Sequence, residues 1–193
     1  MNLTTNQKVI AIGGSTGGIT ALDALLPRLP VTAPCVVLAV HMPPKTTRLF
    51  ADQLDSLLKH TVKEAESGDV LMPGHILVAP GSKHLRIINQ RGVFTVDCFI
   101  GPRVQHVIPS VDILFESVAE TVGANAIGVI LTGIGADGAK GLLQMRKRGA
   151  VTVGQDEATS HIYGMPKVAY EMGAVQHQLP LNKIADKIIS WIK

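Results

Sequence analysis

The sequence is poor in cysteine and in aromatic residues, and it has no long apolar run. Its two cysteines, Cys35 and Cys98, fit neither a CxxC pair nor a zinc-binding pattern. Aromatic residues make up 4% of the chain, so the core must be built from aliphatic side chains. No apolar run approaches the roughly 18 residues of a membrane span, and residues 1–8 lack the apolar region of a signal peptide. The chain is therefore expected to be cytoplasmic, with no membrane insertion and no metal site.

The charge of the chain gives no sign of a nucleic-acid partner. The formal net charge is +3, and the longest basic run is Arg146–Arg148, without interleaved aromatic residues. A nucleic-acid surface usually shows a larger basic cluster. Hydrophobic residues make up 46% of the chain and charged residues 17%, which is typical of a globular protein. At roughly 100–200 residues per domain, the length favours a single domain over residues 1–193.

Apolar runs alternate with helix-like patterns along most of the chain. Four of these runs are short and largely apolar, which is typical of strands buried on both faces. They are Val9–Ile12, Cys35–Val40, Ala126–Leu131 and Ala150–Val153. The alternation predicts the α/β class, as a doubly wound, mainly parallel sheet with helices on both faces.

The middle of the chain follows a different pattern, with short alternating runs and no long helix. Leu85–Ile88 and Val93–Val96 flank the turn-like segment Asn89–Gly92. This arrangement predicts an antiparallel hairpin excursion from the main sheet. Nearer the C-terminus, the patterns predict a helix over Tyr163–Met172 and a short strand that begins at Val175.

The first predicted strand ends in a glycine-rich turn that leads into a helix-like segment. Gly13–Gly17 matches G-x-S-x-G, the pattern that presents a serine nucleophile between a strand and a helix, here Ser15. Backbone N–H groups at the helix start would lie beside its hydroxyl. The phosphate-binding patterns fit less well, since G-x-G-x-x-G fails at Ser15 and the P-loop pattern fails at Ile19. A non-standard phosphate site and a simple helix-capping serine stay open.

A serine nucleophile needs a base, and the base needs an acid that orients it. His41 follows the second predicted strand, and Asp137 lies in a glycine-rich loop after the third. The carboxyl ends of parallel strands meet at one sheet edge, so both residues are expected near Ser15. Asp112, at a predicted helix start, and Asp156 and Glu157, in a loop at the same edge, are alternative acids. Asp137 could instead simply cap the helix that follows it.

With these segments identified, the chain resembles the catalytic domain of the chemotaxis protein-glutamate methylesterase family. The resemblance runs from Val9 to about Ile189 and rests on several motifs in one order. The matching stretches are Ile12–Gly18, His41–Pro44, Val78–Gly81, Pro109–Asp112, Gly128–Gly133 with Asp137–Ala139, Gln155–Ala158 and Gly164–Pro166.

The resemblance implies a hydrolase that removes methyl from glutamyl methyl esters on the cytoplasmic helices of methylated chemoreceptors, releasing methanol during chemotaxis adaptation. The family's catalytic triad falls on Ser15, His41 and Asp137, and Thr16 and Ile134 are expected at the oxyanion site and pocket. No metal or other cofactor is implied. The resemblance also implies a regulatory receiver domain in the full-length protein, absent from residues 1–193, and it leaves glutamine deamidation open.

The chain departs from the usual family pattern in two places. Ile134 stands where many members have Met, and Gln105–Ile108 replaces a stretch that often reads Asn-Arg-His-Arg. Two other functions stay open on the residues alone. One is a non-catalytic module that binds an anion or a protein, although such a module has no need of Ser15, His41 and Asp137 together. The other is an esterase that acts on small molecules.

Overall fold

A sheet of parallel strands forms the centre of the molecule, which the computed structural model describes over residues 7–193. The strands of this range are β1 (Val9–Gly14), β2 (Val36–Val40), β3 (Thr61–Glu64), β4 (His75–Val78), β5 (His84–Gln90), β6 (Val93–Phe99), β7 (Ala126–Ile130), β8 (Val151–Gln155) and β9 (His177–Leu179). The α-helices are α1 (Gly18–Leu25), α2 (Thr46–Leu57), α3 (Val111–Thr121), α4 (Ala139–Lys147), α5 (Met165–Glu171) and α6 (Leu181–Ile192).

Seven of the strands form one sheet in the order β3-β4-β2-β1-β7-β8-β9, and every neighbouring pair is parallel. The chain first moves from β1 to β2 on one side, and later returns to β7 on the other side of β1. Such a reversal leaves a crevice at the carboxyl ends of the strands. The predicted doubly wound α/β class is confirmed, and the ends of β1, β2 and β7 meet at this crevice.

Helices cover both faces of the sheet because successive side chains of a strand point to opposite faces. In β1, Val9 and Ala11 belong to the core formed with α3, α4 and α5, whereas Ile10 and Ile12 belong to the core formed with α1, α2 and α6. All four side chains are fully buried. Burying an aliphatic side chain contributes about 1.5–3 kcal/mol, so both cores hold β1 firmly in place. Within residues 7–193, no helix is long and apolar enough to cross a membrane.

The predicted antiparallel excursion is the hairpin of β5 and β6, which forms a separate two-stranded sheet. Its turn contains Arg91 and Gly92, with φ of 53° and 92°. Two successive left-handed residues match the right-handed twist of the strands they connect. The hairpin packs on α3, where Ile87 N donates a hydrogen bond to Ser117 Oγ at 2.9 Å. The hairpin thus joins the helix that follows it, not the edge of the main sheet.

Two boundaries near the C-terminus differ from the predicted ones. The helix predicted from Tyr163 begins at Met165, because Tyr163 forms a parallel bridge with Gly133 and Met165 N donates to Gly133 O at 2.8 Å. The strand predicted to begin at Val175 is formed by His177–Leu179 instead. Val175 is itself buried, and its apolar character reflects this packing and not strand pairing.

Both cysteines are free thiols. Burial raises the pKa of the Cys35 thiol to about 12, and burial likewise raises the pKa of the Cys98 thiol to about 12. The thiolate is the nucleophilic form of cysteine, and almost none of it forms at neutral pH when the pKa is so high. Neither cysteine is therefore suited to act as a nucleophile.

Candidate active site

Ser15 lies in the sharp turn between β1 and α1. Gly17, at the start of the helix, has a φ of 82°, a left-handed conformation that glycine adopts without a Cβ clash. Ser15 N donates a hydrogen bond to Thr132 O at 3.0 Å, and Gly18 N donates to Ser15 O at 2.7 Å. These two bonds fix the backbone on either side of the half-buried serine.

The loop after β7 passes so close to Ser15 that only glycine fits at the point of contact. A Cβ atom on Gly133 would lie 2.7 Å from Ser15 Cβ and 3.0 Å from Ser15 N. Real Cβ atoms almost never come within 3.0 Å of a nonbonded heavy atom. Gly133 therefore lets the loop that carries Asp137 lie directly against the serine.

His41 follows β2 and lies beside Ser15 at the sheet edge. The register of the parallel strands pairs Gly14 with Val40, so the next residues along each strand, Ser15 and His41, are neighbours. His41 N also donates to Gly14 O at 3.2 Å. The imidazole Nε2 lies 2.8 Å from Asp137 Oδ2, and the His41 side chain is only 12% exposed.

The His41–Asp137 bond sets the role of each imidazole nitrogen. Because an ionised carboxylate can only accept, Nε2 carries the proton and Nδ1 is left as the acceptor. Nδ1 is thus the nitrogen available to take a proton from Ser15. Within residues 7–193, no hydrogen bond joins Ser15 Oγ to the imidazole. Such contacts between catalytic groups commonly tighten only when substrate is bound.

The carboxylate of Asp137 is held at the N-terminus of α3. Its Oδ2 accepts from Val111 N at 2.7 Å as well as from His41. Its Oδ1 accepts from Ser110 Oγ at 2.7 Å and from Asp112 N at 3.0 Å. The first N–H groups of a helix have no partner within the helix, and its dipole favours a negative charge there. Asp137 thus serves the start of α3, whereas the N-cap of the helix after it, α4, is Gly138 without a side-chain bond.

These contacts decide the ionisation of Asp137. Burial alone would raise its pKa, but hydrogen bonds from His41, Asp112 N, Ser110 and Val111 N together hold the pKa below its usual value. The ionised carboxylate therefore contributes stability that is fully present above the unfolded-state pKa of about 3.9. This contribution is lost as the pH falls through the lower folded-state pKa. At neutral pH Asp137 is a permanent anion beside the imidazole.

Two residues outside the predicted triad, Ser110 and His84, support Asp137. Ser110 caps α3, since its Oγ accepts from Ile113 N while donating to Asp137. The Ser110 N–H in turn donates to His84 Nδ1 at 3.1 Å, and His84 Nε2 lies 2.8 Å from Pro102 O. His84 is fully buried, and its two hydrogen bonds link the hairpin to the start of α3.

Thr16 and Ile134 lie on the two loops that border Ser15. Within residues 7–193, neither the Thr16 N–H nor the Ile134 N–H donates a hydrogen bond. Thr132 joins the two loops, because its Oγ1 donates to Thr16 O at 3.0 Å while its O accepts from Ser15 N. Free, fixed N–H groups of this kind can stabilise a developing oxyanion. The Ile134 side chain, 63% exposed, can contact a bound substrate but not the core.

The alternative acids do not contact His41. Asp112 is buried two residues along α3, where its carboxylate accepts from Gly141 N at 2.9 Å and from Gln105 Nε2 at 2.8 Å. Burial raises the pKa of Asp112. Asp156 stabilises a local turn by accepting from Thr159 N at 3.0 Å. Of the four acids that the sequence offered, Asp137 alone lies within hydrogen-bonding distance of His41.

A groove of about 550 Å³, here called the His41 groove, opens beside the imidazole. Its apolar lining is supplied by Met42, Pro43, Pro44, Val107 and Ile108. Besides His41, Arg103 is the one ionisable side chain among the residues that line it. Of Ser15, His41 and Asp137, only His41 is among the residues that line this groove.

A sequence profile described as CheB methylesterase matches residues 10–188. The chain belongs to the CheB methylesterase family. The crystal structure of the Thermotoga maritima CheB methylesterase catalytic domain superposes with a TM-score of 0.92 at 38% sequence identity, covering 95% of this chain and 97% of that one.

Curated relatives carry the name protein-glutamate methylesterase/protein-glutamine glutaminase. The one from Syntrophotalea carbinolica is 48% identical over 188 residues, which cover 97% of this chain and 53% of the relative. One from Anaeromyxobacter dehalogenans is 50% identical over 185 residues, which cover 96% of this chain and 52% of the relative. The chain therefore spans about half the length of the curated relatives it matches.

Proposed function

We propose that this chain hydrolyses glutamyl methyl esters on the cytoplasmic helices of chemoreceptors, with Ser15 as nucleophile, His41 as base and Asp137 as the orienting acid. The observation that carries the proposal is the hydrogen-bonded His41–Asp137 pair beside Ser15, where three parallel strands end. The names of the relatives support the reaction class. Because the proposed substrate segments are cytoplasmic, the same proposal places the reaction in the cytoplasm.

The first half of the reaction forms an ester with the enzyme. Ser15 Oγ attacks the carbonyl carbon of the glutamyl ester, while His41 Nδ1 takes the hydroxyl proton. Asp137 stabilises the imidazolium that results. The N–H groups of Thr16 and Ile134 bind the oxyanion of the tetrahedral intermediate, and one such donor typically lowers the barrier by about 3–4 kcal/mol. The intermediate collapses with loss of methoxide, which receives the proton from His41 and departs as methanol.

The second half of the reaction releases the glutamate. A water molecule loses a proton to His41 Nδ1 and attacks the acyl carbon, after which the Ser15 oxygen leaves and regains the proton. The product is a free carboxylate on the receptor. A glutamine side chain could follow the same course, with ammonia leaving in place of methanol. The glutaminase part of the relatives' names supports this second activity.

Methanol release from a methylated receptor fragment tests the proposal directly. We expect the chain to release methanol from the fragment and to leave an unmethylated glutamate at each former ester. A chain that binds the fragment without releasing methanol would be the non-catalytic module that the sequence left open. A chain that hydrolyses p-nitrophenyl acetate but not the fragment would be an esterase for small molecules.

The pH dependence of kcat/KM tests the division of roles between His41 and Asp137. Since the pKa of Asp137 is lowered, its carboxylate stays ionised above pH 4 or so. Loss of activity on the acid side should therefore report protonation of the imidazole alone. Above pH 4 or so, we expect log kcat/KM to fall on the acid side with a slope of about one per pH unit. A slope of two would mean that a second catalytic group takes up a proton in this range.

The proposal treats residues 1–193 as one methylesterase catalytic domain. Regulation by a receiver domain, as the family resemblance implies, stays a prediction. A receiver domain that changed the rate of methanol release when mixed with this chain would support it.

A further inference from the structure

The His41 groove combines an apolar lining with one unpaired cation, Arg103. The guanidinium makes one hydrogen bond within residues 7–193, from Nη1 to His106 O at 3.3 Å. No carboxylate of that range lies within ion-pairing distance of it. Because a guanidinium has five N–H donors, most of them are free at this exposed position. A planar group of this kind matches the geometry of a carboxylate.

The loop that carries Arg103 has a fixed shape. Val104 and Val107 bridge it, with N–H···O bonds of 3.1 and 3.0 Å, and the two residues between them have left-handed backbones, with φ of 48° at Gln105 and 68° at His106. Non-glycine residues adopt this conformation at a cost, and such residues concentrate at functional sites. The turn brings the chain back to the groove, which both Arg103 and Val107 line.

The same loop is anchored to the elements that hold the triad. Gln105 Nε2 donates to Asp112 Oδ2 at 2.8 Å, and Asp112 N is one of the donors to Asp137. On the other side of Arg103, Pro102 O lies 2.8 Å from Nε2 of His84, the residue that positions Ser110. Arg103 is therefore held at a set position relative to His41 and not on a freely moving segment.

The charge of the groove is not balanced by its surroundings. A neighbouring depression shares Pro44, Gly81 and Ser82 with the groove, and its charged lining residues are two cations and two acids, Lys45, Arg48, Asp52 and Glu64. The charges of that depression offset one another. The free positive charge beside the triad therefore comes from Arg103.

We infer that Arg103 binds a carboxylate of the protein substrate, on a side chain close to the esterified glutamate. The inference rests on the proposed function and names a feature of its substrate: an acidic residue on the same helix face as the ester. Residues three and four positions apart on a helix are neighbours on one face. With the ester at Ser15, an acidic side chain at one of these positions meets Arg103, and an aliphatic one meets the apolar wall. Arg103 thus determines specificity and does not touch the reacting atoms.

Charge reversal at Arg103 tests the inference against a matched control. In Arg103→Glu, we expect KM for the methylated receptor fragment to rise about tenfold, as expected for loss of one charge-assisted hydrogen bond, with a much smaller change in kcat. In Arg103→Lys, we expect a KM between that of the unmodified chain and that of Arg103→Glu. Arg91→Glu carries the same charge change at the far end of the hairpin, about 20 Å along the strands from His84, and should leave KM unchanged.

A charge swap in the substrate completes the test. A fragment in which the acidic residue three or four positions from the ester is replaced by Arg should restore a low KM to Arg103→Glu and raise KM for the unmodified chain. The inference is overturned if Arg103→Glu keeps the original KM, or if it loses p-nitrophenyl acetate turnover as strongly as receptor turnover. Failure of the unmodified chain to release methanol at all would instead overturn the proposed function, and the inference with it.

Discussion

In Ser15→Ala, we expect methanol release to fall by about 10⁵- to 10⁶-fold, the loss seen when a hydrolase triad loses its nucleophile. The alanine cannot form the ester intermediate, and His41 has no hydroxyl proton to take. The remaining rate would come from the free N–H groups of Thr16 and Ile134 and from substrate binding. The measurement is kcat with a methylated receptor fragment under saturating conditions.

The fold should survive this change, because the bonds that shape the turn use backbone atoms. Ser15 N still donates to Thr132 O, and Ser15 O still accepts from Gly18 N. We therefore expect a midpoint of denaturant unfolding close to that of the unmodified chain. Ser190→Ala, at the exposed end of α6, removes a hydroxyl that bonds Lys187 O and should keep full activity. Retained methanol release in Ser15→Ala would rule out the serine mechanism.

In Asp137→Asn, we expect kcat to fall by about 10⁴-fold, because the amide no longer holds the imidazole in the required tautomer. An amide nitrogen in the place of Oδ2 would donate to His41 Nε2. The imidazole proton would then reside on Nδ1, where it cannot accept the proton of Ser15. The same amide nitrogen would also face the Val111 N–H, a donor against a donor.

The same substitution should weaken the fold, which distinguishes it from Ser15→Ala. In either orientation, the amide nitrogen replaces one of the two carboxylate oxygens. Each of these oxygens accepts from an N–H group of α3, and the amide nitrogen cannot accept that bond. A lost hydrogen bond to a buried charged group costs about 1.5–3 kcal/mol in the free energy of unfolding. Asp156→Asn is the matched control, since it changes an acid that serves only a local turn. Its kcat should stay within a few-fold of the unmodified value, and an equal loss in both variants would contradict the assignment.

The position of Ser15, His41 and Asp137 at the carboxyl ends of parallel strands was predictable from the sequence, because the strands themselves follow from local patterns. Continuous apolar runs mark β1, β2 and β7, and the polar or glycine-rich segments that follow them hold Ser15, His41 and Asp137. Parallel strands all present their carboxyl ends to one edge, so the three residues had to come near one another. The catalytic roles of the three residues stay predictions.

The supporting contacts could not be predicted, because each depends on how distant elements pack. Ser110 is recognisable as a helix cap, but nothing near it in sequence indicates that it donates to Asp137. His84 is one of seven histidines, and its role follows from the docking of the hairpin on α3. Asp137 was expected to serve either the imidazole or the helix after it. It serves the imidazole and a different helix, α3, which only the tertiary structure could reveal.

The pairing of β1 with β7 has a consequence for how the protein is made. Val9 lies opposite Ala126, so the two strands are joined across most of the chain. On the ribosome, Ser15 and His41 emerge long before Asp137. Contacts between such distant segments form slowly in folding, since the intervening chain must be ordered first. The nascent chain therefore carries Ser15 and His41 before Asp137 has been made, and the three residues come together only when the core has closed.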